Sequence, residues 1–110
     1  PLSVFDGVPL AVKDEVDMVP YGTTVGTQFL GQTPAREDAT VVARMRAAGA
    51  LLLGKTNMHE IGISVTGLNP HHGVARNPYD PDHYTGGSSS GSSVAVAAGF
   101  CPAAIGADGG

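Results

Sequence analysis

Residues 84–100 read YTGGSSSGSSVAVAAGF, a run that begins like a flexible linker and ends like a buried helix, with no polar spacer between the halves. Chain made of Gly and Ser stays mobile only where nothing beside it has to be buried. Here the apolar half must pack, so it draws the serines inside with it. Buried hydroxyls have to find partners, and the first turn of a helix offers free N–H groups and the positive end of a dipole. The run therefore reads as the entry to a helix from about Ser92 to Gly99, whose Val and Ala face is small enough to lie close against a sheet.

The rest of the chain supplies that sheet. Gly7–Asp14 (GVPLAVKD) reads as a short buried strand ending on a charge, because a brief apolar run bounded by turn residues suits a covered strand. A loop rich in Gly and Thr follows, through Gln32. From Arg36 to Ala48, acids at Glu37 and Asp38 and a glycine just past the end, Gly49, predict a helix with Val42, Met45 and Gly49 on one side. Leu51–Leu53 predict a second strand, and Asn57 is placed to cap a second helix through Ser64. Three prolines between Asn69 and Thr85 mark an irregular loop, and Ala103–Ala107 predict a further strand. Strands alternating with helices predict an α/β architecture with a mixed, mostly parallel sheet covered by helices. Aromatic residues are 5% and Trp is absent, so the core must be aliphatic. The 16 glycines exceed the usual share of about 7%, which points to close backbone packing.

Composition excludes some partners. The formal charge is −4, and the six Lys and Arg residues are scattered from Lys13 to Arg76, which argues against a nucleic-acid footprint of clustered cations. The single cysteine, Cys101, has no internal partner for a disulfide. No apolar run approaches the ~18 residues of a membrane span. A chain of 110 residues that starts at Pro1 and stops just after an apolar run is expected to be a piece of something longer, so a leader or anchor upstream is left open.

Residues 49–56, GALLLGKT, fit the phosphate-loop pattern G-x-x-x-x-G-K-[ST] letter for letter. A phosphate loop follows its strand and turns backbone N–H groups toward the nucleotide. Here the middle residues are the strand itself and a helix precedes them, so the match is rejected. The histidines lack ligand spacing: His71 and His72 are adjacent, and His59-Glu60 has no second histidine one turn on. No metal or cofactor is expected.

The serine run leaves two readings on physics alone. Ser and Gly are ordinary capping and turn residues, or one serine moves protons and needs a base. Lys13, at the end of an apolar strand, is the candidate base, since burial disfavours a lysine's charged form.

Taken together, GVPLAVKD (7–14), DATVV (38–42), GKTNMHE (54–60), RNP (76–78), GGSSSGS (86–92) and GADGG (106–110) resemble the amidase signature family over essentially the whole chain and in the right order. Tyr84-Thr85 and the opening PLSVFDG are most similar to plant-type fatty acid amide hydrolases. The resemblance implies the N-terminal part of a single amidase signature domain over residues 1–110, truncated at both ends. It implies amide hydrolysis by a Ser–cisSer–Lys triad through an acyl-enzyme, on a small-molecule amide. In that reading Lys13 is the base and Ser88, after a cis Gly87–Ser88 peptide, is the bridging serine. Gly109 and Gly110 supply oxyanion N–H groups, Gly62 contacts substrate, and Ser89 and Ser90 support the network. The nucleophilic serine is expected just beyond Gly110, so the 110 residues alone are expected to be inactive. The resemblance leaves open a glutaminase-type component of a tRNA-dependent amidotransferase, a small-amide hydrolase, or a noncatalytic binding fragment. Homodimerisation and a cytoplasmic or membrane-associated location are further expectations for the full-length protein.

Overall fold

The computed structural model describes residues 1–109. Its elements are β1 (Pro9–Lys13), α1 (Thr40–Ala47), β2 (Leu51–Thr56), α2 (Ser90–Ala97) and β3 (Ala103–Ile105), with a single 3₁₀ turn at Glu60–Gly62. The strands form a parallel sheet in the order β2-β1-β3. Central β1 is paired on both edges and covered on both faces, and this double cover is why its sequence is a continuous apolar run rather than an alternating one.

Period-two alternation sends β1 side chains to opposite faces. Ala11 packs with Ala95 of α2, Cys101 and Ala104 on one face. Val12 packs with Met18, Val42 of α1, Leu52 and Ile105 on the other. The two helices thus cover opposite faces, and the chain leaves β1 toward β2 through α1, then crosses back to β3 through α2. The strand order reverses at β1, and ligands in open α/β sheets bind outside the carboxyl ends of strands at such a reversal. Lys13 is the carboxyl end of β1 and lies on the α2 face.

Three local expectations are corrected. The helix predicted from Arg36 starts at Thr40, because Ala39 is extended (ψ 152°) and the Asp38 carboxylate is used elsewhere. It accepts from Val19 N at 2.8 Å and from Arg46 Nε at 2.7 Å, and this ion pair holds its carboxyl below the usual aspartate range. The helix predicted from Asn57 through Ser64 does not form. Asn57 O accepts from Gly91 N at 2.8 Å, His59 N donates to Ser88 O at 3.0 Å, and Met58 O accepts from the buried Asn69 amide at 2.9 Å. Those backbone groups serve a tertiary clamp, leaving one turn with Ile61 at φ 57°. Helix α2 begins two residues earlier than predicted, at Ser90, and ends two earlier, at Ala97.

Gly91 explains the closeness of this clamp. A Cβ at that position would lie 2.5 Å from Asn57 N and 2.7 Å from Asn57 O, so only glycine lets the first turn of α2 rest on that backbone.

Candidate active site

Lys13 is fully buried, and its Nζ reaches the turn before α2. Lys13 Nζ lies 2.6 Å from Ser88 Oγ, 2.8 Å from the Ala107 carbonyl and 2.9 Å from Glu15 Oε1. The strand brings the lysine, the turn before α2 brings the serine, and the segment after β3 brings the carbonyl, across sequence separations of 75 and 94 residues. The Gly87–Ser88 peptide is cis.

Ser88 opens onto a cleft of about 350 Å³ lined by Gly62, Ile63, Val65, Gly87, Asp108 and Gly109, among others. Gly62 has φ +72°, and a methyl there would sit 3.6 Å from Ser88 Oγ, so it forms the wall beside the serine. Contrary to the expected helix, it stands in the 3₁₀ turn. Gly109 lines the mouth of the same cleft. Gly110 lies outside the described residues.

The other serines divide their work differently from the expectation. Ser89 Oγ bridges to Ala107, 3.3 Å from its carbonyl and 3.4 Å from its N–H, tying the start of α2 to the chain after β3. Ser90, expected in the supporting network, is buried against Gly67, and its hydroxyl makes no hydrogen bond among the described residues. Ser92 takes the supporting part: its Oγ meets Thr56 Oγ1 at 2.7 Å and donates to Ile105 O at 3.0 Å, joining α2 to β2 and β3.

The rejected motif lies in strand β2, where Lys55 pairs with Asp14 at 2.8 Å. The histidines are engaged locally. His71 meets Glu60 at 2.8 Å and His72 meets Thr27 O at 2.8 Å, while His59 faces Thr66 and His83 faces Asp80. Among the described residues no three His, Cys, Asp or Glu side chains gather as a metal site would require.

This geometry is accompanied by a match of the Amidase family model to residues 1–110. The chain belongs to the amidase family. It is 52% identical over 111 residues to a fatty acid amide hydrolase of Arabidopsis thaliana, covering all of this chain and 18% of that protein. It is 42% identical over 102 residues to an indoleacetamide hydrolase of Pseudomonas syringae pv. syringae, covering 93% of this chain and 23% of that one. The native peptide amidase structure from Stenotrophomonas maltophilia superimposes with a TM-score of 0.86 at 40% identity, over 94% of this chain and 22% of that one. The amidase fold class is therefore that of the α/β sheet described above, and the chain spans about a fifth of the length of these relatives. Among the described residues of this amidase-family chain no helix is long and apolar enough to cross a membrane.

Proposed function

We propose that the full-length protein is an amide-bond hydrolase in which Lys13 and Ser88 relay a proton to and from a nucleophilic serine contributed by the chain that follows the cleft. The observation that carries this reading is the 2.6 Å contact between Lys13 Nζ and Ser88 Oγ at the carboxyl end of the central strand. Neutral Lys13 accepts the Ser88 hydroxyl proton while Ser88 accepts that of the nucleophile, which attacks the amide carbon. The proton then returns along the same path to the leaving amine. Water hydrolyses the resulting acyl ester by the same relay. Developing negative charge on the carbonyl oxygen is met by backbone N–H groups at Gly109 and Gly110, each worth about 3–4 kcal/mol in the transition state.

The 110 residues hold base and relay without that nucleophile, and by themselves turn over no amide. For substrate class, the identity with a plant fatty acid amide hydrolase and the apolar cleft residues Ile63 and Val65 support an apolar acyl chain.

The test uses the full-length protein with a long-chain fatty acid amide, a short aliphatic amide and glutamine. Hydrolysis of the long-chain amide, with serine labelling by a fluorophosphonate, is expected. Lys13→Ala and Ser88→Ala each reduce both rates by about 10²–10⁴, the usual size of a general acid–base contribution. Labelling of Lys13→Ala at the wild-type rate at neutral pH refutes the role of the lysine. Turnover of glutamine alone, in the presence of charged tRNA and a partner protein, assigns the protein to amidotransferases instead.

A further inference from the structure

Two adjacent acids follow the lysine, and the fold separates them. Asp14 N donates to Thr56 O at 3.1 Å and the Asp14 carboxylate pairs with Lys55 at 2.8 Å, turning it toward β2. A turn closed by Val16 N and Lys13 O at 3.0 Å brings Glu15 back under the lysine instead. Glu15 is 28% exposed at its side chain, and a methyl built on Gly62 would sit 3.5 Å from Glu15 Oε2 and 3.6 Å from Ser88 Oγ. The carboxylate therefore stands beside Gly62 and the relay, within reach of solvent.

The three neighbours of Lys13 Nζ differ in what they can do. The Ala107 carbonyl and an ionised Glu15 carboxylate only accept hydrogen bonds, whereas the Ser88 hydroxyl can donate or accept. A neutral amine has two N–H groups and one lone pair. With its hydrogens on Ala107 O and Glu15 Oε1, the lone pair is left facing Ser88 Oγ at 2.6 Å. We infer that Glu15 is a positioning residue of the proton relay: it fixes the direction of the Lys13 lone pair toward Ser88, and its carboxylate stays in contact with the ammonium formed when the lysine takes the Ser88 proton. This rests on the amidase reading above, and it goes beyond that reading by adding a carboxylate to a site whose expected members were a lysine, serines and glycines.

The charged groups around the lysine are few. The Asp14–Lys55 pair lies on the β2 side, Asp108 lines the cleft on the segment after β3, and Ser88–Ala97 carry no charge. Removal of Glu15 therefore takes away the carboxylate in direct contact with Nζ.

The experiment measures kcat and KM against pH in the full-length wild type, Glu15→Gln, Glu15→Ala and Lys13→Ala. Glu15→Gln is expected to displace the acid limb of the rate profile, because the charge in contact with Nζ is gone. Glu15→Ala is expected to lower kcat by about tenfold or more with KM nearly unchanged, the signature of a misaligned reacting group. Formate or acetate, which can enter at the half-open Glu15 position, is expected to restore part of the Glu15→Ala rate. A purely structural part for Glu15 would lower the melting temperature and leave the acid limb in place. Glu15 variants with wild-type kcat and pH profile, beside an inactive Lys13→Ala, overturn the inference alone. A wild type that neither hydrolyses amides nor takes the fluorophosphonate overturns the amidase reading and this inference with it. Gln is isosteric with Glu at a partly open position, so the Gln variant provides the test if the Ala variant folds poorly.

Discussion

Replacing Gly91 by alanine adds one methyl at the point where the first turn of α2 touches the Asn57 backbone. The added carbon would lie 2.5 Å from Asn57 N and 2.7 Å from Asn57 O, against an ordinary contact of about 3.5 Å. Both obstacles are main-chain atoms, so the segments must part by about 1 Å. The Gly91 N to Asn57 O hydrogen bond, 2.8 Å long, would then stretch beyond useful range. Overpacking costs about 1–3 kcal/mol, the lost bond about 1 kcal/mol, and the gain from removing a helical glycine returns about 0.5–1 kcal/mol. The net expectation is a loss of about 2 kcal/mol, opposite in sign to what helix propensity alone predicts. Because His59 N holds Ser88 O in the same clamp, Ser88 moves as well, and a misplacement near 1 Å costs about 10² in rate. Denaturant titration and amide turnover of full-length Gly91→Ala read the two effects. A higher unfolding midpoint with unchanged kcat would refute the clamp.

Other outcomes follow from single contacts. Ser92→Ala removes the hydroxyl shared by Thr56 and Ile105, both inside the fold, and is expected to lower stability by about 1–3 kcal/mol in denaturant titration. Lys55→Met leaves the half-buried Asp14 carboxylate without its ion pair but still held by Thr24; about 1–2 kcal/mol of destabilisation is expected, while ATP is expected to give no thermal stabilisation of the wild type. Arg46 holds the Asp38 carboxyl below its ordinary value of 3.8, so the stabilisation is full above that value and fades as pH falls through the lower folded value. Asp38→Asn is therefore expected to flatten the loss of stability below about pH 4 in acid titrations, and an unchanged acid profile would remove the pair from the account.

Sequence reading worked where local pattern and tertiary burial asked for the same thing. The apolar run of β1 needs two covered faces, and the Val and Ala face of α2 needs a sheet beneath it, so both were legible from composition and spacing. The segment after Asn57 was misread because its backbone groups are committed to α2 and to Asn69, partners far off in sequence. The first turn of α1 was misread because Asp38 satisfies Val19 and Arg46 rather than capping a helix. Lys13 stood out at its strand end and the serine run stood out as a whole, while Ser88 was singled out within the run only by the family resemblance. Glu15 did not, since only the turn after β1 decides which of two neighbouring acids faces the lysine; a Lys-x-Glu step at the end of a buried strand is the signal that was available.

The placement of β1 at the centre of the sheet also sets a schedule. Lys13 leaves the ribosome well before its partners, since Ser88 follows by 75 residues and Ala107 by 94. At synthesis rates of about 5–20 residues per second, about 5–20 s separate the lysine from the carbonyl that receives one of its hydrogens. Through that interval the strand that ends up most buried keeps at least one unpaired edge, the condition that invites pairing with other chains. The strand that carries the base thus waits longest for its neighbours, and the Lys13 contacts close only after translation has passed the last strand of the three.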